Sequence, residues 1–173
     1  MREGKGKLTY KNGYYQGEFL NDNRHGKGKS LTDGDTYRGN WVDDQREGQG
    51  TLTTADGQVY SGEWHRGELV EGTLKTEEFR YRGSFLGGSF HGEGHMVYTN
   101  GDTYEGGFKD GKRSGQGTLT SGNLKLSGKF DQDFLVEGIC ETDEYRYEGQ
   151  YSQTGRHGFG TCTFKQALYA GNW

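Results

Sequence analysis

One pattern recurs in phase eight times along this chain: a large residue, glycine two places on, and an aromatic two places further. The leading residues are Tyr15, Tyr37, Tyr60, Tyr81, Tyr104, Leu126, Tyr147 and Tyr169. The glycines are Gly17, Gly39, Gly62, Gly83, Gly106, Gly128, Gly149 and Gly171, and the closing aromatics are Phe19, Trp41, Trp64, Phe85, Phe108, Phe130, Tyr151 and Trp173. The period is about 22 residues, the sign of a repeat architecture. Two-residue spacing places alternate side chains on one face of a strand.

The stretch from Tyr37 to Tyr60 shows the unit in full. Tyr37, Gly39 and Trp41 define one short strand, and Gly48, Gly50 and Leu52 define a second. The segment Asp43 to Glu47 connects them, and Asp56-Gly57 turns the chain into the next unit. An isolated hairpin is marginal in water, so each unit depends on its neighbours.

Glycine is intrinsically poor in strands, and its frequent use here implies that a large ring lies against bare backbone. The second strand usually ends on an apolar residue, as at Leu52, Met96 and Leu119, with Cys140 and Cys162 in the same place. Both cysteines read as small buried hydrophobes in a reducing compartment. The unit at Tyr15 departs from the rule, with Ser30 at the apolar place and Leu31 beside it.

A longer period is superposed. Leu69-Val70-Glu71-Gly72 returns as Leu135-Val136-Glu137-Gly138. In these units the first glycine of the pair is gone and the loop reads as one residue longer. Two readings stand open: the units pack the sheet differently, or exposed Leu-Val edges meet a partner.

Leu, Ile, Val and Phe make up 27 of 173 residues, a level low enough to suggest disorder. The aromatics argue otherwise, since they fall in register at strand positions. The low apolar content excludes a thick core and fits a single layer of strands. The net charge of −4 comes with no basic stripe, which excludes nucleic acid as an expected partner and does not favour an anionic lipid surface. No apolar run approaches the ~20 residues of a membrane-spanning helix.

Residues 2–14 read as the second half of a unit, full repeats start at 15, 37, 60, 81, 104, 126 and 147, and 169–173 is a partial repeat. We expect one continuous array over 1–173. A chain that stops mid-repeat is expected either to be part of a longer protein, the preferred reading, or to have its edge completed by another chain.

The Tyr-x-Gly-x-Trp/Phe strand, the Gly-x-Gly strand and the Gly-Asp-type turn, at this period, resemble the MORN repeat (membrane occupation and recognition nexus). The likeness covers nearly the whole chain, with departures at Leu126, Gly72 and Gly138. It implies an all-β fold: a single-layer antiparallel meander of stacked β-hairpins, an elongated and twisted solenoid with an aromatic-lined groove. It also implies a non-catalytic part of the cell's scaffolding, in the cytoplasm, at the cytoskeleton or at the inner face of a membrane.

The expected partner-binding groove is lined by Tyr37, Trp41, Tyr60, Trp64, Tyr81, Phe85, Tyr104 and Phe108. Contiguous aromatic surface on a one-layer sheet suits a helix or extended peptide of another protein. Free strand edges suit self-association as a homodimer. A phospholipid or membrane-surface module and the accessory segment of a larger enzyme are the alternatives.

No catalytic set is expected. Gly28-Lys29-Ser30 lacks the earlier glycine of a phosphate loop, with Asn23 in its place. Asp43, Asp44 and Glu47 read as solvated charge. His25, His91 and His157 read as solvated loop residues. They lie three hairpins apart, roughly 29 Å at about 4.8 Å per strand, too far to share one metal ion. No metal and no cofactor are expected.

Overall fold

The computed structural model describes residues 1–173 and holds sixteen β-strands and no helix. The chain forms two compact units, Met1–Gly88 and Ser89–Trp173. The first contains β1 (Gly4–Tyr10), β2 (Gly13–Leu20), β3 (Asn23–Thr32), β4 (Asp35–Val42), β5 (Gln45–Thr53), β6 (Val59–His65), β7 (Glu68–Lys75) and β8 (Phe79–Leu86). The second contains β9 (Ser89–Tyr98), β10 (Thr103–Lys109), β11 (Lys112–Ser121), β12 (Leu124–Asp131), β13 (Phe134–Glu141), β14 (Tyr145–Ser152), β15 (Gly155–Phe164) and β16 (Ala167–Asn172). Within each unit every strand pairs antiparallel with the strands before and after it. Each is therefore one layer, a meander of hairpins, as the alternation predicts.

The register sorts the repeat into rows across the strands. Tyr15, Ser30, Tyr37, Leu52, Tyr60, Leu74 and Tyr81 face one another in sequence across the first unit. Beside them runs an unbroken row of glycines: Gly6, Gly17, Gly28, Gly39, Gly50, Gly62, Gly72 and Gly83. The second unit repeats both rows, with Met96, Tyr104, Leu119, Leu126, Cys140, Tyr147, Cys162 and Tyr169 in the first. Cys140 and Cys162 are free thiols, both buried.

The turns correct one boundary. Asp43 and Asp44 alone connect β4 to β5, and Gln45 to Glu47 already belong to the second strand. Both turn residues have positive φ, 46° and 64°, the geometry of a two-residue type I′ hairpin. Asn21-Asp22, Arg66-Gly67, Asp110-Gly111 and Gln132-Asp133 share it. Aspartate tolerates this left-handed backbone, so a turn can be tight with no glycine to announce it.

The second strands bulge, and here the structure differs again from the expected longer loop. Gly39 pairs with Gly50 and Trp41 with Arg46, so β5 carries two extra residues around Gly48. In β7, Glu63 pairs with Glu71 and Trp64 with Leu69, so only Val70 is extra. β13 does the same at Val136. The turn keeps its length, and it is the bulge that is one residue shorter. Leu69 pairs with Trp64 and Leu135 with Phe130, so both lie in the aromatic layer, where they are buried. They are not the exposed edges that one sequence reading expected.

The histidines are corrected too. His25, His91 and His157 lie within β3, β9 and β15, next to bulge glycines, and not in loops. The Nδ1 atoms of His25 and His91 are enclosed without a hydrogen-bond partner.

Candidate functional site

The aromatic face is filled by its own rings. Tyr37, Trp41, Trp64, Tyr81, Phe85, Tyr104 and Phe108 are between 0 and 6 % exposed. Tyr15, Tyr37, Tyr81, Tyr104, Tyr147 and Tyr169 each pack edge-on to the aromatic four residues later, and Tyr15, Tyr37, Tyr104 and Tyr147 also to the equivalent ring one repeat on. Tyr15 meets Phe19 at 5.1 Å and Trp41 at 5.4 Å between ring centroids. Tyr37 meets Trp41 at 5.1 Å and Trp64 at 5.3 Å. Tyr104 meets Phe108 and Phe130, and Tyr147 meets Tyr151 and Trp173, at 5.1 to 5.3 Å. Edge-to-face pairs of this kind add about 0.5–1.5 kcal/mol each beyond burial.

Beneath the tyrosines the glycine row makes room for these rings. A Cβ placed on Gly50 would lie 2.0 Å from the Tyr37 hydroxyl oxygen, and one on Gly28 2.3 Å from that of Tyr15. With bare backbone beneath it, the Tyr15 hydroxyl donates to the Glu18 carbonyl at 3.0 Å, and that of Tyr104 to Gly107 at 3.0 Å. Burial pushes the hydroxyls of Tyr15, Tyr37 and Tyr104 up to about 12. Tyr60 stands apart: it is half-buried, and its hydroxyl donates instead to Gln58 Oε1 at 3.0 Å.

A set of arginines that the repeat pattern alone does not single out completes the layer. Arg2, Arg24, Arg46, Arg113 and Arg156 each precede a bulge glycine by two places. That spacing was the available signal. Their guanidinium groups lie over the rings: Arg24 is 4.1 Å from the Trp41 centroid and Arg46 is 4.4 Å from that of Trp64. Three of them clamp an aspartate in the second place of the next repeat's turn. Arg24 donates through its amide and Nε to Asp44 Oδ1, both at 2.9 Å, and through a terminal nitrogen to the Asp44 carbonyl at 2.6 Å. Arg2 holds Asp22 and Arg113 holds Asp133 in the same way. Asp44 is thus engaged rather than simply solvated. Glu47 likewise accepts from the Arg66 amide and lies 2.9 Å from His65 Nδ1.

The filled face holds a hollow of about 410 Å³. Tyr37, Trp41, Leu52, Arg24, Arg46 and Ser30 are among its walls. Ser30 explains the space: it stands in the row between Tyr15 and Tyr37, where other repeats carry leucine, methionine or cysteine. The Trp41 indole N–H is buried without an acceptor, whereas that of Trp64 donates to the Gly50 carbonyl at 3.0 Å. Of the eight expected groove residues the structure brings Tyr37 and Trp41 to this hollow. The other face of the first unit is different in character. Lys5, Lys7, Lys27, Lys29 and Arg38 gather there, with Lys29 directly opposite Arg38. No group of three or more His, Cys, Asp or Glu side chains is placed to hold a metal ion.

The sequence profile of the MORN repeat family matches residues 1–13, 15–36, 37–59, 60–74, 81–103, 104–123 and 147–166. The unit that begins at Leu126, where the leading tyrosine is lost, falls outside these stretches. No curated protein matches the chain.

Proposed function

Because this chain belongs to the MORN repeat family, whose repeats are non-catalytic modules of protein and membrane interaction, we propose that it is a protein-interaction scaffold. The observation that carries this reading is the hollow at Ser30. It combines aromatic walls, an apolar Leu52 and two arginines in a volume within the range of ligand sites. Such a surface suits one turn of a helix or a short extended peptide of another protein. The remaining rings are occupied with one another, so recognition concentrates where the row is interrupted. In this reading the chain performs no catalysis of its own, works in the cytoplasm near the cytoskeleton or a membrane, and associates with itself through free strand edges.

The test fills the hollow without opening the core. Ser30→Leu places there the residue found at Leu52 and Leu119. Random-peptide display on the wild-type chain is expected to return ligands that Ser30→Leu no longer binds, with circular dichroism unchanged. Ligands that bind both proteins equally would move the docking site elsewhere.

A second reading rests on the cationic face. Tyr14 lies between Lys7 and Lys29, 4.6 and 5.6 Å from its ring centroid, and five cations surround this patch despite the acidic whole. An anionic membrane surface is its natural counterpart, at about 1 kcal/mol per basic residue. Flotation with phosphoinositide vesicles, abolished by Lys27→Glu/Lys29→Glu, supports that reading; no flotation at low salt removes it.

A further inference from the structure

The arginine clamp has a rule, and one arginine breaks it. Where an arginine is clamped, the next turn supplies aspartate: Asp22 for Arg2, Asp44 for Arg24, Asp133 for Arg113. Where the turn ends in glycine at Gly111, the residue in the arginine's place is apolar, Phe90, whose carbonyl accepts from the Gly111 amide at 3.0 Å. Arg46 is the mismatch. Its carbonyl accepts from the Gly67 amide at 2.9 Å, so the turn sits as in the clamps. Position 67 has no carboxylate to give. A Cβ built there meets nothing within 4 Å, so the space of the missing side chain is open.

The acidic residues near Arg46 do not take that role. Asp44 is held by Arg24. Asp35 accepts from the Ala55 amide at 2.9 Å and Asp33 from Asn12 at 2.8 Å. Arg46 makes no ion pair, although it lines the hollow with Trp41 and Gly67 and is held between Tyr37 and Trp64, 5.6 and 4.4 Å from their centroids. Desolvation by this packing pulls its pKa down, and the nearby Tyr37 and Asp35 oppose that shift. A partly desolvated, pre-oriented guanidinium is the group that gains most from a charge-assisted pair.

We propose that Arg46 captures the carboxylate of an aspartate or glutamate of a partner polypeptide, set where the Asp44 carboxylate lies against Arg24. The internal clamps define the ligand. In each, the arginine reads a carboxylate oxygen and the main-chain carbonyl of the same residue. At Arg46 the Gly67 backbone already stands in the main-chain place, so the carboxylate is the part left for a partner to supply. The proposal rests on the scaffold reading and names the anchor of its partner.

The test uses the intact chain and two arms. In the first, N-acetyl-aspartate N-methylamide is titrated while the arginine Nε–Hε and tryptophan indole resonances are followed by NMR. Arg46 and Trp64 are expected to shift saturably, and the asparagine analogue is expected to bind at least about tenfold more weakly. Gly67→Asp supplies the internal carboxylate at a backbone conformation that Asp22 and Asp133 already adopt, and is expected to abolish the shift while the protein stays folded. No shift, or equal shifts in Gly67→Asp, overturns the proposal. In the second arm, random peptides displayed against both proteins separate the two claims. Peptides that bind wild type and Gly67→Asp alike keep the scaffold and defeat the acidic anchor. Titration as expected, with no peptide found, keeps the anchor and defeats the docking groove.

Discussion

The hairpins β4–β5 and β12–β13 solve the same packing problem in two ways. In the first, Tyr37 lies over Gly39 and Gly50, and Arg46 spreads over the rings from the next strand. In the second, Leu126 replaces the tyrosine and buried Leu135 replaces the arginine. With no ring over this pair, neighbouring backbone is what a side chain would meet. A Cβ on Gly138 would lie 2.2 Å from the Ser127 carbonyl oxygen, and Gly138 itself has a φ of +148°. Glycine is required in both hairpins, then, but for different reasons. In one it makes room for a side chain, and in the other for the neighbouring strand. The same pairing of features separates β6–β7 from its neighbours, where Leu69 is buried and Tyr60 turns away. The lesson is that identical letters at one place in a repeat do not carry one cause.

The largest expected effect tests that separation. Gly50→Ala is expected to cost about 3 kcal/mol in urea unfolding, with part recovered in Gly50→Ala/Tyr37→Leu. Gly138→Ala is expected to cost as much with no recovery from changes at Leu126. Equal behaviour in the two hairpins would mean that the ring is not what excludes the methyl group at Gly50.

Next come the two covers of the ring layer. Leu135→Ala removes a buried side chain and is expected to cost about 2–4 kcal/mol, indifferent to salt. Arg24→Ala removes a half-exposed ion pair and two ring contacts, to Tyr15 and Trp41, expected at about 1 kcal/mol and reduced by salt. A reversed order would show that the arginine, and not burial, holds this layer.

The tyrosine hairpins also predict an alkaline limit. Burial raises the folded-state pKa of Tyr15, Tyr37 and Tyr104 to about 12, above the ordinary value near 10. Their contribution to stability is complete below about pH 10 and is lost as pH rises through 12. Tyrosinate absorbance followed with far-ultraviolet dichroism should show these groups ionising together with unfolding. Early ionisation of all tyrosines with the sheet intact would contradict their burial.

The smallest effect is at acid pH. Burial raises the Asp44 carboxyl, but the hydrogen bonds from the Arg24 amide and guanidinium outweigh it and hold the pKa below its ordinary value. The clamp's contribution is present above the usual carboxylate range near pH 4 and is lost as pH falls through the lowered pKa. Stability of Arg24→Ala and wild type, compared by urea midpoint, should converge at low pH.

Strand positions, the shared aromatic face and the purpose of the glycines at Gly28 and Gly50 were legible because two-residue periodicity and steric bulk are local properties. The turn at Asp43-Asp44 was not, since aspartate enters the left-handed region without the glycine that usually signals it. The face occupied by Leu69 was not legible either. It depends on which residue stands opposite it across the hairpin, which only the pairing of two strands decides. The arginines were visible as letters, but their role needs the ring of one repeat and the turn of the next in the same place. That is also why Ser30, an apparent lapse from the pattern, reads as a site only when the rows on either side are known.

The bulge on the second strand acts as a store of slack. Removing one residue there, as between the 11-residue spacing of Gly39 to Gly50 and the 10-residue spacing of Gly62 to Gly72, leaves the turn and the flanking glycines where they were. The residue opposite the closing aromatic also keeps its side: Arg46 faces Trp41 across one hairpin and Leu69 faces Trp64 across the other. Small insertions and deletions at this one spot are therefore absorbed hairpin by hairpin while the scaffold stays in step.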